Sequence, residues 1–216
     1  MRYEIKIPIN KFYQSNYTKW LNSKIRKTFP DREINSLYYD TEKLNCAKDN
    51  LSGISNRRKY RVRWYDLNYQ EKFYEIKIKK NNLGFKIGQK INMNNNSLDK
   101  IFSAKELLLN SKNNLKFLNS IKHNNLKPIL KTSYMRSYYV CENIRITYDQ
   151  NLKYTIFKKE IGREKILEDQ LNVIEFKFEL VDFEVASKII AESLFLPKRF
   201  SKYLRGLYLH KFSSYF

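Results

Sequence analysis

An α+β fold built on a mainly antiparallel sheet is what this sequence predicts, and three observations predict it. Apolar and polar residues alternate through about nine short segments, the period of a strand with two unlike faces. Only three stretches carry the spacing of an amphipathic helix. Five Gly and four Pro in 216 residues leave little room for a flexible linker, so a single domain spanning residues 1–216 is expected.

The strands follow in chain order. Residues 2–8 set Arg2, Glu4 and Lys6 against Tyr3, Ile5 and Ile7, and residues 34–40 end in Leu37-Tyr38-Tyr39-Asp40. Residues 57–65 set Lys59, Arg61 and Arg63 against Tyr60, Val62 and Trp64. Residues 73–79 set Glu75, Lys77 and Lys79 against Tyr74, Ile76 and Ile78, and residues 84–91 set Lys86 and Lys90 against Phe85, Ile87 and Ile91. Residues 131–140 carry Arg136 among aromatics. Residues 143–149 set Arg145, Thr147 and Asp149 against Ile144, Ile146 and Tyr148; 153–159 read as a short strand. Residues 173–180 set Glu175, Lys177 and Glu179 against Ile174, Phe176 and Phe178. Helical spacing covers 11–27, two pieces within 97–121, and 182–195, the last stopped by Pro197.

Composition narrows the function. A 42% hydrophobic content with 17 Tyr and 14 Phe excludes a disordered chain. Lys and Arg number 42 against 22 Asp and Glu, a net charge of +20. Such an excess repels itself unless a polyanion neutralises it; a Lys- and Asn-rich coding bias accounts for part of it. Cys46 and Cys141 lie far apart in no metal-like spacing, which predicts no disulfide framework and a reducing compartment. The N-terminus alternates rather than forming a leader, and no apolar run approaches the roughly 18–20 residues that span a bilayer. The expectation is a soluble, cytoplasmic protein that reaches a membrane only through a partner. No helix-turn-helix, zinc-finger or aromatic RNA-binding signature is present, so sequence-specific nucleic acid is not expected.

The polar strand faces repeat one theme: Glu-x-Lys, Lys-x-Arg-x-Arg, Glu-x-Lys-x-Lys and Glu-x-Lys-x-Glu. Alternation alone fits two arrangements. The charged faces meet bulk solvent over an apolar core, or the sheet closes with charge inside and helices outside. Enclosed charges are costly unless paired or given a ligand. Interleaved Glu and Lys can pair across strands, and the cationic excess then suits phosphate, which Arg grips with a planar fork and Lys meets as a point charge. Carboxylates among them can hold Mg²⁺ or Mn²⁺ against phosphate oxygens.

These pieces resemble the VTC domain, the polyphosphate polymerase module of the triphosphate tunnel metalloenzyme superfamily. The resemblance is carried by Arg2-Tyr3-Glu4-Ile5-Lys6, Leu37-Tyr38-Tyr39-Asp40-Thr41, Tyr60-Arg61-Val62-Arg63-Trp64-Tyr65 and Glu75-Ile76-Lys77-Ile78-Lys79. It continues through Tyr134-Met135-Arg136-Ser137, Ile144-Arg145-Ile146-Thr147-Tyr148-Asp149, Ile174-Glu175-Phe176-Lys177 and Phe200-Ser201-Lys202-Tyr203-Leu204-Arg205-Gly206. Each piece alone is weak; their order from residue 2 to 206 is specific.

The resemblance implies an eight-stranded antiparallel β-barrel tunnel flanked by helices. It implies a metal-dependent phosphotransferase that moves the γ-phosphoryl of ATP onto a growing polyphosphate chain, with ATP and polyphosphate as partners. Arg61 and Arg63 resemble the pair that grips the triphosphate, and Lys77, with Lys79 as neighbour, the basic residue of the next strand. Arg136 and Arg145 resemble two arginines of the far wall. Glu175, and with it Glu4, resemble metal ligands for Mn²⁺ or Mg²⁺; Lys6 resembles the first-strand signature. Ser201 and Lys202 resemble the terminal-helix residues that close over the phosphates. Catalysis falls to Lys77, Arg136 and Lys202, and substrate binding to Lys6, Arg61, Arg63, Lys79, Arg145 and Ser201.

Plainer readings stand beside these. Lys79 and Lys90 fit ordinary surface lysines, Glu179 a partner for lysine, Asp149 a turn residue ending its strand, and Tyr38, Tyr39, Tyr138 and Tyr139 barrel packing. His123 and His210 receive no role. A tripolyphosphate or nucleoside triphosphate hydrolase of the same superfamily is the alternative enzyme, although Arg2 stands where such members carry the first Glu of Glu-x-Glu-x-Lys. A non-catalytic polyphosphate-binding module is the third reading. The phosphate-sensing domain and membrane helices of eukaryotic members have no counterpart in these 216 residues.

Overall fold

Each alternating run, where described, falls on a strand in the computed structural model, which describes residues 2–80, 83–92, 125–156, 165–193 and 195–211; the 157–159 end of the 153–159 run lies outside them. The strands are β1 (Arg2–Asn10), β2 (Arg26–Asp40), β3 (Arg57–Tyr65), β4 (Asn68–Lys80), β5 (Leu83–Asn92), β6 (Lys127–Cys141), β7 (Ile144–Ile156), β8 (Ile166–Glu168) and β9 (Leu171–Glu179). The helices among the described residues are α1 (Gln14–Lys24), α2 (Asn45–Leu51), α3 (Phe183–Glu192) and α4 (Lys202–Leu209). Eight strands follow one hydrogen-bonded path, β1-β9-β7-β6-β2-β3-β4-β5, with β8 pairing beside β7. The fold class is the expected one: an antiparallel eight-stranded sheet with flanking helices. No helix among the described residues is long and apolar enough to cross a membrane.

Several boundaries differ from expectation for local reasons. The runs 143–149 and 153–159 belong to one strand, β7, as far as Ile156. Asp149 reads in the sequence as a turn ending its strand, but the chain runs on through Asn151, which takes a left-handed φ of 54° inside the strand, a conformation Asn tolerates. Asp149 is therefore mid-strand and fully buried, not a terminal turn residue. The 11–27 helix is shorter: Lys11–Tyr13 form a 3-10 turn, and the chain turns extended at Ile25 before Pro30. The 97–121 stretch and His123 lie outside the described residues.

Contact density divides the chain into two units. The first comprises 1–33, 133–153 and 168–201. Its β1 and β9 pair along their whole length, Lys6 opposite Glu175 and Glu4 opposite Lys177. Their apolar sides, Ile7, Ile174, Phe176 and Phe178, pack in one core with Tyr17 and Leu21 of α1 and Ala186 and Ile190 of α3. The helices thus cover the apolar side, and the alternation leaves the Glu-Lys side for other work.

The second unit comprises 34–132, 154–167 and 202–216. Tyr60, Val62 and Trp64 of β3 and Tyr74 and Ile76 of β4 are buried. Asp40, wholly buried, governs the helices here. Its Oδ1 accepts from the Thr41 and Cys46 amides at 2.7 and 2.9 Å, and its Oδ2 from the Ala47 amide at 2.9 Å. Those donors lead into and open α2, where helical amides lack intrahelical partners. The same Oδ2 accepts from the Tyr203 hydroxyl of α4 at 2.8 Å. Tyr203, Gly206 and Leu207 form the buried stripe of α4. Gly206 permits close docking: a Cβ there would lie 2.5 Å from Leu130 Cδ2 and 2.6 Å from Tyr154 Cδ1.

Candidate functional site

In the second unit the β3–β4–β5 register lays the polar residues out in rows. Arg61 faces Glu75, and Glu75 faces Gly88. Lys59 faces Lys77, and Lys77 faces Lys86. Arg63 faces Phe73, and Phe73 faces Lys90. On the other flank of β3, Tyr38 and Ser36 of β2 face Arg61 and Arg63.

Glu75 is the centre of this face. Its Oε2 accepts from Arg61 Nε at 2.6 Å and lies 3.8 Å from Arg63 Nη1; its Oε1 accepts from Lys86 Nζ at 2.9 Å. Burial works to raise the Glu75 carboxyl, but Arg61, Arg63 and Lys86 outweigh it and hold it at about 2. Three cations thus converge on one buried carboxylate. Gly88, directly across, puts no side chain over it. Arg61 Nη1 also reaches the Tyr38 hydroxyl at 3.5 Å, and Arg63 Nε reaches Ser36 Oγ at 3.4 Å. Burial alone would raise the Tyr38 phenol; Arg61, Arg63 and Lys202 nevertheless bring it below its ordinary value. Lys202, at the start of α4, is the smallest of these three influences on Tyr38. It is positioned by its neighbour Tyr203, whose ring stacks on Tyr38 at 5.0 Å and 18°. Lys77 is exposed and Lys79 half-buried on the same strand; Lys90 pairs with Glu71 at 2.7 Å.

In the first unit β1 and β9 each carry one ion pair between residues two apart on the same strand. Lys6 Nζ meets Glu4 Oε1 at 2.8 Å, and Lys177 Nζ meets Glu175 Oε1 at 2.6 Å. Arg145 is exposed opposite Lys177, at a shallow cleft that also holds Glu179 and Asp182. Arg136 makes a bidentate pair with Asp149, Nε to Oδ1 at 2.6 Å and Nη2 to Oδ2 at 2.7 Å. Burial opposes the Arg136 charge, and Asp149 more than restores it. The segment before α4 is tied to β1: Lys198 N–H donates to the Lys6 carbonyl at 2.9 Å, and Lys6 Nζ to the Phe200 carbonyl at 3.4 Å. Ser201, half-buried, follows directly.

The structure thus gathers Arg61 and Arg63 on Glu75 with Lys86, sets Lys202 beside Tyr203, which stacks on Tyr38, and places Glu4, Lys6 and Glu175 on one sheet face. It commits two of the donors of Arg136 to Asp149. Sequence reasoning assigned nothing to Glu75: regular closure from the Tyr65–Asn68 pair would set Lys72 against Arg61, and the register shift between Arg63 and Tyr65 brings Glu75 there instead. It also gave Asp40 and Tyr203 no role in seating α4. Among the described residues no group of three or more His, Cys, Asp or Glu gathers where it could hold a metal ion.

Solved structures share this architecture at low identity. A protein of Pyrococcus horikoshii matches with TM-score 0.54 and 17% identity, covering 97% of this chain and 99% of its own. A candidate adenylate cyclase of Bacillus halodurans matches with TM-score 0.56 and 13% identity over 92% of each chain. A candidate adenylyl cyclase of Hippeastrum, described as having a dominant triphosphatase activity, matches with TM-score 0.57 and 12% identity over 95% of each. No curated protein matches the sequence. The VTC domain pattern matches residues 5–210. The chain belongs to the VTC domain family, and its fold is that of the triphosphate tunnel superfamily.

Proposed function

We propose that this protein is a polyphosphate polymerase. A terminal oxygen of the acceptor chain attacks the γ-phosphorus of ATP, the bond from that phosphorus to the β-bridging oxygen breaks, and ADP leaves. The acceptor phosphate is itself the nucleophile, so the protein's task is positioning and charge stabilisation. One observation carries the reading: Arg61, Arg63 and Lys86 converge on the single carboxylate of Glu75. The facing row Lys59-Lys77-Lys86 adds positive charge beside it.

Arg61 and Arg63 grip the triphosphate, Lys77 and Lys202 neutralise charge developing on the transferred group, and Lys79 and Ser201 extend the binding surface. In the first unit Lys6 and Arg145 bind phosphate, and Arg136 supplies fixed charge. The acidic residues fit a metal in one mode only. Glu175 and Glu4 are each met by a lysine, which does not make a protein cage. It does suit Mg²⁺ or Mn²⁺ held by one or two carboxylates and completed by substrate phosphates. Such an ion would supply further neutralisation of the phosphate oxygens.

Hydrolysis of tripolyphosphate or a nucleoside triphosphate is the second reading. It is favoured by the likeness to the Hippeastrum protein with its described triphosphatase activity. Incubation with ATP and Mn²⁺ separates the two. A polymerase yields long-chain phosphate on a gel with equimolar ADP; inorganic phosphate without polymer selects hydrolysis. Glu175→Ala is expected to lose turnover while retaining most polyanion binding.

A further inference from the structure

Two aromatic residues interrupt the charged face of the second unit where charge would be expected. On β3 the alternation runs Arg61, Arg63, Tyr65 along one side, and on β4 it runs Lys77, Glu75, Phe73. Phe73 lies directly opposite Arg63. Tyr65 stands two residues beyond it, about 6.6 Å along the strand, opposite Ile34 of β2. The rings of Tyr65 and Phe73 meet edge to face at 5.7 Å and 73°. Both side chains are only partly buried, in contrast to Tyr60, Val62 and Trp64 on the opposite face of β3. Two packing aromatics would sit on that apolar face; these two remain partly open on the face that carries the arginines. Lys90 is across from Phe73 and drawn to Glu71 at the rim.

We propose that Tyr65 and Phe73 form a nucleobase ledge, on which the base of a nucleoside triphosphate stacks while Arg63 and Arg61 hold its phosphates. Every base has a π-face, so stacking of this kind accepts any base. The ligand class is a nucleoside triphosphate, in distinction to inorganic tripolyphosphate, which has nothing to place on the ledge. This inference rests on the reading of the Arg61–Arg63 cluster as a phosphate grip and identifies what the grip's ligand carries at one end.

The test is calorimetric titration of the full chain with Mg²⁺-ATP and, separately, Mg²⁺-tripolyphosphate, comparing wild type with Phe73→Ala and Tyr65→Leu. Far-UV circular dichroism checks each fold, and Tyr65→Leu carries the contrast alone if Phe73→Ala does not fold. The expected result is ATP binding weakened roughly tenfold, as loss of one stacking partner gives, with tripolyphosphate binding unchanged. Phe73→Tyr, which keeps the π-face, should bind ATP as wild type does. Equal weakening of both ligands, or of neither, overturns the ledge. Wild type that binds neither ligand overturns the phosphate grip itself, a distinct failure.

Discussion

Asp149 in the first unit and Glu75 in the second are both buried carboxylates met by arginine, and they differ in what else reaches them. Asp149 is wholly buried, and Arg136 engages both its oxygens with two parallel N–H donors. Glu75 is shared among Arg61, Arg63 and Lys86, whose side chains keep 19%, 12% and 58% of their surface in solvent. The first arrangement is a buried bidentate pair; the second carries more positive charge than its carboxylate cancels, with part of it exposed. The same chemistry of guanidinium and carboxylate can therefore lock a strand pair in one place and present cations to an anionic ligand in another. What decides is stoichiometry and exposure rather than residue type.

Separating the two roles by mutation should break the comparison most sharply at Asp149. Asp149→Asn strands the buried Arg136 charge, and breaking such a pair costs about 3–5 kcal/mol. Chemical denaturation should show that loss. The converse is expected of Arg61→Ala with Arg63→Ala. Turnover of ATP should fall at least ~100-fold, the scale of losing charge stabilisation in a phosphoryl-transfer site, while the thermal midpoint moves less than in Asp149→Asn.

Gly206→Ala sharpens the comparison from the side of α4. Its added methyl meets Leu130 and Tyr154, and overpacking of this kind costs about 1–3 kcal/mol. Because α4 carries Lys202 to the Arg61 cluster, tripolyphosphate affinity should weaken with it. Unchanged affinity would detach Lys202 from the site.

A further effect is in pH. The folded Glu75 carboxyl is depressed from 4.5 to about 2, so its ionised form contributes stability that is complete above the unfolded value. That contribution should fade as pH drops from about 4.5 towards about 2. Glu75→Gln should flatten the stability profile across that window, and an unaltered profile would show that the cations are not coupled to this carboxylate.

Much of this was legible beforehand. Strict alternation fixes which residues share a face, so Arg61 with Arg63, and Glu175 with Lys177, could be grouped from the chain alone. Cross-strand partners could not, because they depend on register. Glu75 opposite Arg61 and Asp149 against Arg136 are products of pairing, and each turned an apparently ordinary acid into the partner of a proposed site arginine. Asn151 shows another limit: its left-handed φ is absorbed inside β7, so two runs that read as separate strands are one. Asp40 looked like a strand terminus and in fact holds α2 and Tyr203 together, a role set by contacts across 163 residues of chain.

The central claim is that the cationic face around Glu75 serves transfer between phosphate chains. ³¹P nuclear magnetic resonance of the protein with ATP and Mn²⁺ reads it most directly. Growth of internal-phosphate signal matched by ADP, and absent from the Arg61→Ala, Arg63→Ala variant, is the expected result. Wild-type protein that leaves ATP intact, or a variant that polymerises as well as wild type, would contradict it.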